Sequence, residues 1–440
     1  MHAPAGAGPK GTLRDAIERH RAGDLAAAEA AYATHLAIAP EDPGALHFLG
    51  VLRHQQQRTD EAIALIRRAL DAAPGYADAW SNLGNVYKES GRLGEAEQAY
   101  RHAIAIDRGH VGSWNNLGVV LRAQGKAPDA VAALRQALER APGMADAWFN
   151  LGNALRSCGT LPGAITAYRR VLALQPTHAY AQELLGRVLY VAGEREQATT
   201  VFREWAAREP DNPVPAHMLA ACSGLDVPAR ASDAYVRKTF DHFAASFDEV
   251  LLQRLDYRAP DLLCGSLAEV LGPPQSALDV LDAGCGTGLC APLLKPYARS
   301  LTGVDLSGGM LARARSRTLY DDLVEAEIGR FLTERPVRFD VIASADTLCY
   351  FGDLDPVVQL ASAALRPHGW LAFTLESADD IDAYRINPHG RYSHARPYVT
   401  SVLDRARFEQ VSVEPASLRL ELGKPVGGWV VRGRVPAWRP

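Results

Sequence analysis

The stretch Leu281–Cys290, LDAGCGTGLC, sets Asp282 two residues ahead of three glycines at 284, 286 and 288. An apolar run precedes it and a helical pattern, CAPLLKPYA, follows, so the glycines stand on a strand-to-helix turn. Glycines there let backbone N–H groups approach an anionic ligand group closely at a helix start. A dinucleotide fold needs G-x-G-x-x-G. Counted from Gly284 and Gly286, its third glycine falls at Leu289, and the glycine stands at 288 instead.

The elements that must hold this turn begin at Ala277. Short apolar runs, ALDVLDAG, SLTGVDLS, LVEAEI, FDVIASAD and GWLAFTLE, alternate with helical ones, CAPLLKPYA, GGMLARARS and PVVQLASAALR. This βαβ alternation predicts a mostly parallel sheet covered by helices on both faces, with ligands beyond the carboxyl ends of its strands. The order D-x-G-x-G-x-G from Asp282 to Gly288 resembles the first motif of class I S-adenosylmethionine (AdoMet)-dependent methyltransferases. GVDLS, EAEIG, FDVIASADTLCYFGDL and ALRPHGWLAFTLE follow in the order of that family, with His368 in place of a glycine in the last.

The resemblance implies a Rossmann-like α/β domain with a mostly parallel seven-stranded sheet and AdoMet as cofactor. It puts Asp305, with Leu306 beside it, on the ribose hydroxyls. Glu327 is expected at the adenine amine, with the Ile328 N–H facing the ring. Asp282 is expected at the amino end of the methionine moiety, the glycine amides at its carboxylate, and Asp346 along that same end. No phosphate is present in such a ligand, so no Walker lysine is needed. Methyl transfer is an in-line displacement that asks the protein mainly for position and a dry site. A base is needed only where the acceptor must lose a proton. His394, with Arg391 and Tyr392 beside it in GRYSHARPY, is the expected candidate, and an exposed loop histidine is its alternative. His242 and Tyr350 come next.

More than half the chain precedes this domain, and it is periodic. Gly50, Gly84, Gly118, Gly152 and Gly186 stand 34 residues apart. So do Ala28, Ala62, Ala96, Ala130, Ala164 and Ala198, and the tryptophans at 80, 114 and 148. Prolines at 40, 74, 142, 176 and 210 keep the step, with Arg108 in the missing slot. Each unit reads as two helices broken by glycine, and the pattern resembles the tetratricopeptide repeat. Six units are expected over 9–212, an all-α superhelix, followed by a capping helix and linker over 213–231. The methyltransferase-like domain is expected over 232–440 and a disordered tail over 1–8. Each half is expected to fold alone. The whole resembles bacterial methyltransferases that carry tetratricopeptide repeats, including YVRKTFDHFAASFD ahead of the glycine motif.

Asn82, Asn116 and Asn150 repeat without an evident packing need and resemble the asparagine ladder of O-linked N-acetylglucosamine transferase. One step round the helix, Lys88, Arg122 and Arg156 continue a series from His20 and His54 and read either as a cationic stripe or as solvated surface. Both sets are expected to line a groove for a protein or peptide acceptor, whose modified residue would reach the mouth near Gly284 and His394. A small-molecule methyltransferase with assembly repeats, and a scaffold that binds AdoMet without turnover, are the alternatives. The net charge of −4 gives no field for nucleic acid, and no apolar run approaches the ~20 residues of a membrane span. The six cysteines form no C-x-x-C pair, so neither a metal site nor a disulfide framework is expected, and a reducing cytoplasm is the default.

Overall fold

The computed structural model describes residues 13–244, 247–248, 255–421 and 424–437, apart from the side chain of His242. The tail expected at 1–8 lies outside them. The chain divides into two compact units, Met1–Ala192 and Gly193–Pro440.

In the first unit helices pack in consecutive pairs: Leu13–Arg21 with Leu25–Ile38, Pro43–Gln55 with Thr59–Ala72, Ala77–Glu89 with Leu93–Ile106, Val111–Ala123 with Ala127–Arg140, and Ala145–Ser157 with Leu161–Leu174. Ala179–Val191 follows. The period has a contact behind it. A Cβ on Gly50, Gly84, Gly118 or Gly152 would stand 2.6, 2.6, 2.4 or 2.6 Å from the side chains of Ile66, Tyr100, Leu134 and Tyr168 in turn. Each glycine is the hole that receives a large side chain sixteen residues later. The tryptophans tie each repeat to the turn that precedes it. The indole N–H groups of Trp80, Trp114 and Trp148 donate to the carbonyls of Pro74, Arg108 and Pro142 at 3.0, 3.0 and 2.8 Å. The bond reads a main-chain carbonyl, so Arg108 serves as well as proline.

The second unit opens with helices Arg195–Arg208 and Pro213–Ser223, then Asp233–Phe243 and Ala259–Leu271. Its sheet comprises β1 (Leu278–Ala283), β2 (Ala298–Asp305), β3 (Asp322–Glu325), β4 (Phe339–Ser344), β5 (Leu365–Ser377), β6 (Tyr384–Ile386), β7 (Tyr392–His394), β8 (Glu409–Glu421) and β9 (Lys424–Arg434). Strands run β3-β2-β1-β4-β5 in parallel, and β9 and then β8 continue antiparallel from β5. Among the described residues the expected seven strands become nine, because a hairpin of β6 and β7 pairs with the tip of β5 at Glu376 and Ser377. Three-residue strands leave no periodic trace in a sequence. Both faces are covered. Leu281, Val304, Ile342 and Phe373 enter one core, and Val280, Leu301, Val341 and Ala372 enter the other, which is why the strands read as unbroken apolar runs.

The linker expected at 213–231 is not loose. His217 stacks on Tyr235 with ring centroids 3.9 Å apart, and its Nε2 donates to the Gly390 carbonyl at 2.8 Å. Ala221 packs with Ile386 and Tyr392. The capping helix therefore belongs to the core of the second unit.

Replacing Gly118 with alanine is expected to destabilise the protein by roughly 1–3 kcal/mol, because Leu134 must move. Gly94, within a helix and with nothing near its Cβ position, is expected to gain up to about 1 kcal/mol on the same change. Urea unfolding of the two variants checks both signs.

Candidate functional site

The turn after β1 passes through Gly284, Gly286 and Gly288, all at left-handed φ of 74°, 55° and 85°. At Gly284 a Cβ would also lie 2.2 Å from Thr347 Oγ1, whose hydroxyl donates to the Gly284 carbonyl at 3.1 Å. The end of β2 closes the other side. Asp305 accepts the Gly286 N–H on one carboxylate oxygen and the Ser307 N–H on the other, both at 2.9 Å. Asp282, at the end of β1, is buried and accepts the Tyr320 hydroxyl at 2.6 Å. Burial, reinforced by the nearby Asp305 charge, pushes Asp282 up to about 7 despite that bond. Burial also raises Asp305, and the amides of Ser307 and Gly286 oppose it.

The helix Asp233–Phe243 and Asp248 cover this turn. The Ser307 hydroxyl donates to Asp241 at 2.5 Å, and Arg237 Nε donates to the Leu306 carbonyl at 3.3 Å. Arg317 bridges Asp248 at 2.5 Å and the Thr287 carbonyl at 2.6 Å. Beneath lies a cavity of about 100 Å³ that opens to solvent. Asp282, Gly284, Gly286, Asp305, Leu306, Glu327, Ile328 and Asp346 all line it. Gly288 does not; it makes room for Tyr320 and Arg317, which would lie 3.0 and 3.2 Å from a Cβ there. Glu327 caps the helix Ile328–Thr333, accepting the Arg330 N–H at 2.7 Å. Arg230, Phe240, Phe247, Tyr257, Tyr350 and Phe351 line it as well.

The three residues expected to act on a proton are elsewhere. None lines the cavity. His394 is fully buried; its Nε2 meets the Gly352 carbonyl at 3.1 Å, and burial pushes it down to about 4. The Tyr392 hydroxyl donates to the Pro228 carbonyl at 2.8 Å. Arg391 donates to Glu376 at 2.5 Å and to Glu421. Arg419 joins the same buried cluster, touching Glu376, Glu421 and Asp346, the last at 2.8 Å. These are framework positions, because β7 carries GRYSHARPY into the sheet rather than onto an open loop. Tyr350 does line the cavity, with its hydroxyl pK raised by burial. The side chain of His242 lies outside the described residues. Sequence reasoning missed Thr347 and Arg230, which line the cavity, and Tyr320, which bonds Asp282; tertiary packing places each, and no local pattern marks them.

In the repeats the asparagines turn out to have a packing partner: one another. Asn82 donates to His47 Nε2 at 2.8 Å, Asn85 to Asn82 at 3.2 Å and Asn116 to Asn85 at 2.9 Å. Asn115 then donates to Asn116 at 3.1 Å, and Asn150 to Asn115 at 3.0 Å. Lys88, Arg122 and Arg156 are half-buried, as are His20 and His54 of the same series. His20 bonds Tyr32 at 3.2 Å and His54 bonds Glu89 at 2.8 Å, so this series also makes contacts within the solenoid.

Residues 281–373 match the family model of a methyltransferase domain, and 41–109, 115–179 and 159–222 match models of the tetratricopeptide repeat. The chain is 32% identical to a malonyl-[acyl-carrier protein] O-methyltransferase of Enterobacter lignolyticus, over 35% of this chain and 62% of that one. It is 27% identical to a ubiquinone biosynthesis O-methyltransferase of Bordetella bronchiseptica, over 36% of this chain and 70% of that one. The chain spans 26% to 62% of the length of the first curated relatives it matches. Among solved structures, the crystal structure of MamA protein aligns at a TM-score of 0.38 with 22% identity, over 39% of this chain and 94% of that one. No helix among the described residues is long and apolar enough to cross a membrane.

Gly284→Ala meets both a left-handed φ and the Thr347 side chain, so a loss of about 2 kcal/mol or more is expected. Gly286→Ala meets the φ alone, with open space at its Cβ, and about 1–2 kcal/mol is expected. Denaturant unfolding that ranks Gly286→Ala as the worse would show that Thr347 does not press on the loop.

Proposed function

The chain joins tetratricopeptide repeats to a methyltransferase domain, and we propose that it is an AdoMet-dependent methyltransferase. The observation that carries this reading is the convergence of four strand ends on one cavity, each with its own acid: Asp282 from β1, Asp305 from β2, Glu327 after β3 and Asp346 after β4. Asp305 is held by the Gly286, Ser307 and Leu306 amides and lines the cavity, where a carboxylate is a suitable acceptor for ribose hydroxyls. Asp282 is a buried acid with a single hydroxyl partner, a setting suited to a ligand's ammonium group. The glycine amides expected at the ligand carboxylate are instead engaged within the protein, Gly284 N–H by the Val304 carbonyl, Gly286 N–H by Asp305 and Gly288 N–H by the Cys285 carbonyl. At Gly284 and Gly286 the turn therefore offers a ligand close approach rather than glycine donors, and Glu327 with the Ile328 N–H fit an amino-purine edge. When bound, the cofactor supplies an electrophilic methyl group on a sulfonium. The chain's task is to hold the reactants in line, and the aromatic side chains in the cavity lining suit the dry surroundings such a transfer needs.

The repeats recruit a protein or peptide acceptor in this reading. The asparagine rungs and the half-buried Lys88, Arg122 and Arg156 support it, since amides match peptide backbone of any sequence. A small-molecule acceptor is the second reading. Two relatives are named for malonyl-[acyl-carrier protein] and ubiquinone biosynthesis, and the cavity lining includes the aromatic side chains Phe240, Phe247, Tyr257, Tyr350 and Phe351. Methyl transfer from labelled AdoMet into host lysate, split into protein and small-molecule fractions, separates the two.

Asp305→Ala is expected to abolish binding of S-adenosylhomocysteine by calorimetry, a loss of at least 1–3 kcal/mol; an unchanged titration overturns the cofactor reading. Asp282, near 7 in the free protein, is expected to lose its proton beside a cationic amino group. Affinity should therefore rise as pH increases from 6 to 8. Titrations in two buffers of different ionisation heat should show proton release near pH 7 that Asp282→Asn removes.

A further inference from the structure

We propose that Arg230 anchors an anionic group of the methyl acceptor, and that the acceptor is a carboxylate on an apolar body, methylated on one of its own oxygens. The proposal rests on the methyltransferase reading and names the substrate class of that same cavity.

The backbone that carries Arg230 is fixed from several sides. Arg230 forms an isolated antiparallel bridge with Phe351, and the Ala231 N–H donates to the Tyr350 carbonyl at 2.8 Å. The N–H groups of Gly352 and Asp353 both donate to the Ala229 carbonyl at 2.8 Å. Tyr392 holds the carbonyl of Pro228. The segment leaving the capping helix is thus built as one wall of the cavity.

Among the described residues Arg230 is the one cationic side chain that lines the cavity. Its Nη1 donates to the Ala231 carbonyl at 3.2 Å and to Asp233 at 2.6 Å, an ion pair with both side chains about two-fifths exposed. No bond engages Nε or Nη2 among those residues, so one donor edge of the guanidinium remains for a ligand. Ala231 and Phe351 touch it, and Val236, Phe240 and Tyr350 line the same cavity, which suits an apolar body. A guanidinium edge matches a carboxylate with two parallel N–H···O bonds.

The chemistry of the cavity agrees. Tyr257, Tyr350, Cys285 and Cys290 all have their acidities weakened by burial or by neighbouring thiols. Asp346 is already occupied, accepting from Thr374 at 3.0 Å and Arg419 at 2.8 Å. An acceptor that is anionic at neutral pH needs no proton removed. A carboxylate oxygen lone pair forms the new O–C bond to the methyl carbon, the C–S bond breaks, and its electrons return to sulfur as a neutral thioether. A methyl ester results, and no proton moves.

The test uses the full chain saturated with S-adenosylhomocysteine, titrated by calorimetry with 4-phenylbutanoate, with its amide, and with straight-chain carboxylates and amides of matched length. At least one carboxylate is expected to bind tenfold or more tighter than its amide. Arg230→Gln should erase that preference and Arg230→Lys should restore part of it, with thermal unfolding confirming that both variants are folded. With AdoMet in place of its product, mass spectrometry should find the methyl ester of the preferred carboxylate. Equal binding of acid and amide, a preference that survives Arg230→Gln, or no carboxylate bound across the series overturns the proposal. Failure of S-adenosylhomocysteine itself to bind would instead sink the methyltransferase reading.

Discussion

Two carboxylates, Asp282 and Asp305, sit at the ends of adjacent parallel strands beside a turn made of glycines, and the second unit is organised around keeping them there. An unpaired buried acid is costly, so each must be answered. Asp305 is answered by the amides of Gly286 and Ser307, which fixes the glycine turn and the start of the next helix in one stroke. Asp282 is answered by a single tyrosine hydroxyl, which is too little to hold it fully ionised. The shortfall leaves a site that favours a cation. Around this core the overlying helix, the Asp248–Arg317 pair and the wall at 228–231 act as a cover whose contacts are polar at the rim and aromatic inside.

The glycine turn, both strand-end acids and the acids after β3 and β4 were legible in the sequence because each obeys a local rule: a strand ends, the chain turns, and a particular side chain is left at the mouth. The repeats were legible for a different reason, since a hole at Gly84 and a ring at Tyr100 must recur together or the helices will not close. What stayed hidden depends on long-range placement. His394 looked like an exposed loop histidine or a base, and becomes a buried strand residue only once β7 pairs with β5. Tyr320 reaches Asp282 across 38 positions, and no spacing announces it.

The boundary shows the same limit. The segment at 222–231 loses the 34-residue period and carries glycine and proline, which reads as a linker. Its backbone nevertheless finds partners at 350–353, and the helix before it packs on the β6–β7 hairpin. A break in a repeat marks where one packing rule stops, and another rule takes over at once. Because Arg230 and Ala231 help to line the cavity, the stretch that leaves the repeats is also part of the site.

The asparagine rungs have a sense. From Asn150 through Asn115, Asn116, Asn85 and Asn82 to His47, every amide gives its N–H to a residue nearer the amino terminus or to its immediate relay, and none gives it back. His47 must therefore present a bare Nε2 and keep its proton on Nδ1, towards Tyr76, and burial holds the ring neutral by pushing it down to about 4. Turning one amide round would set donor against donor on one side and acceptor against acceptor on the other, so the row can reverse only as a whole. It behaves as a wire with an arrow on it. An extended chain laid along this row would meet a different face in each of its two orientations, and the repeats would distinguish a strand from the same strand read backwards.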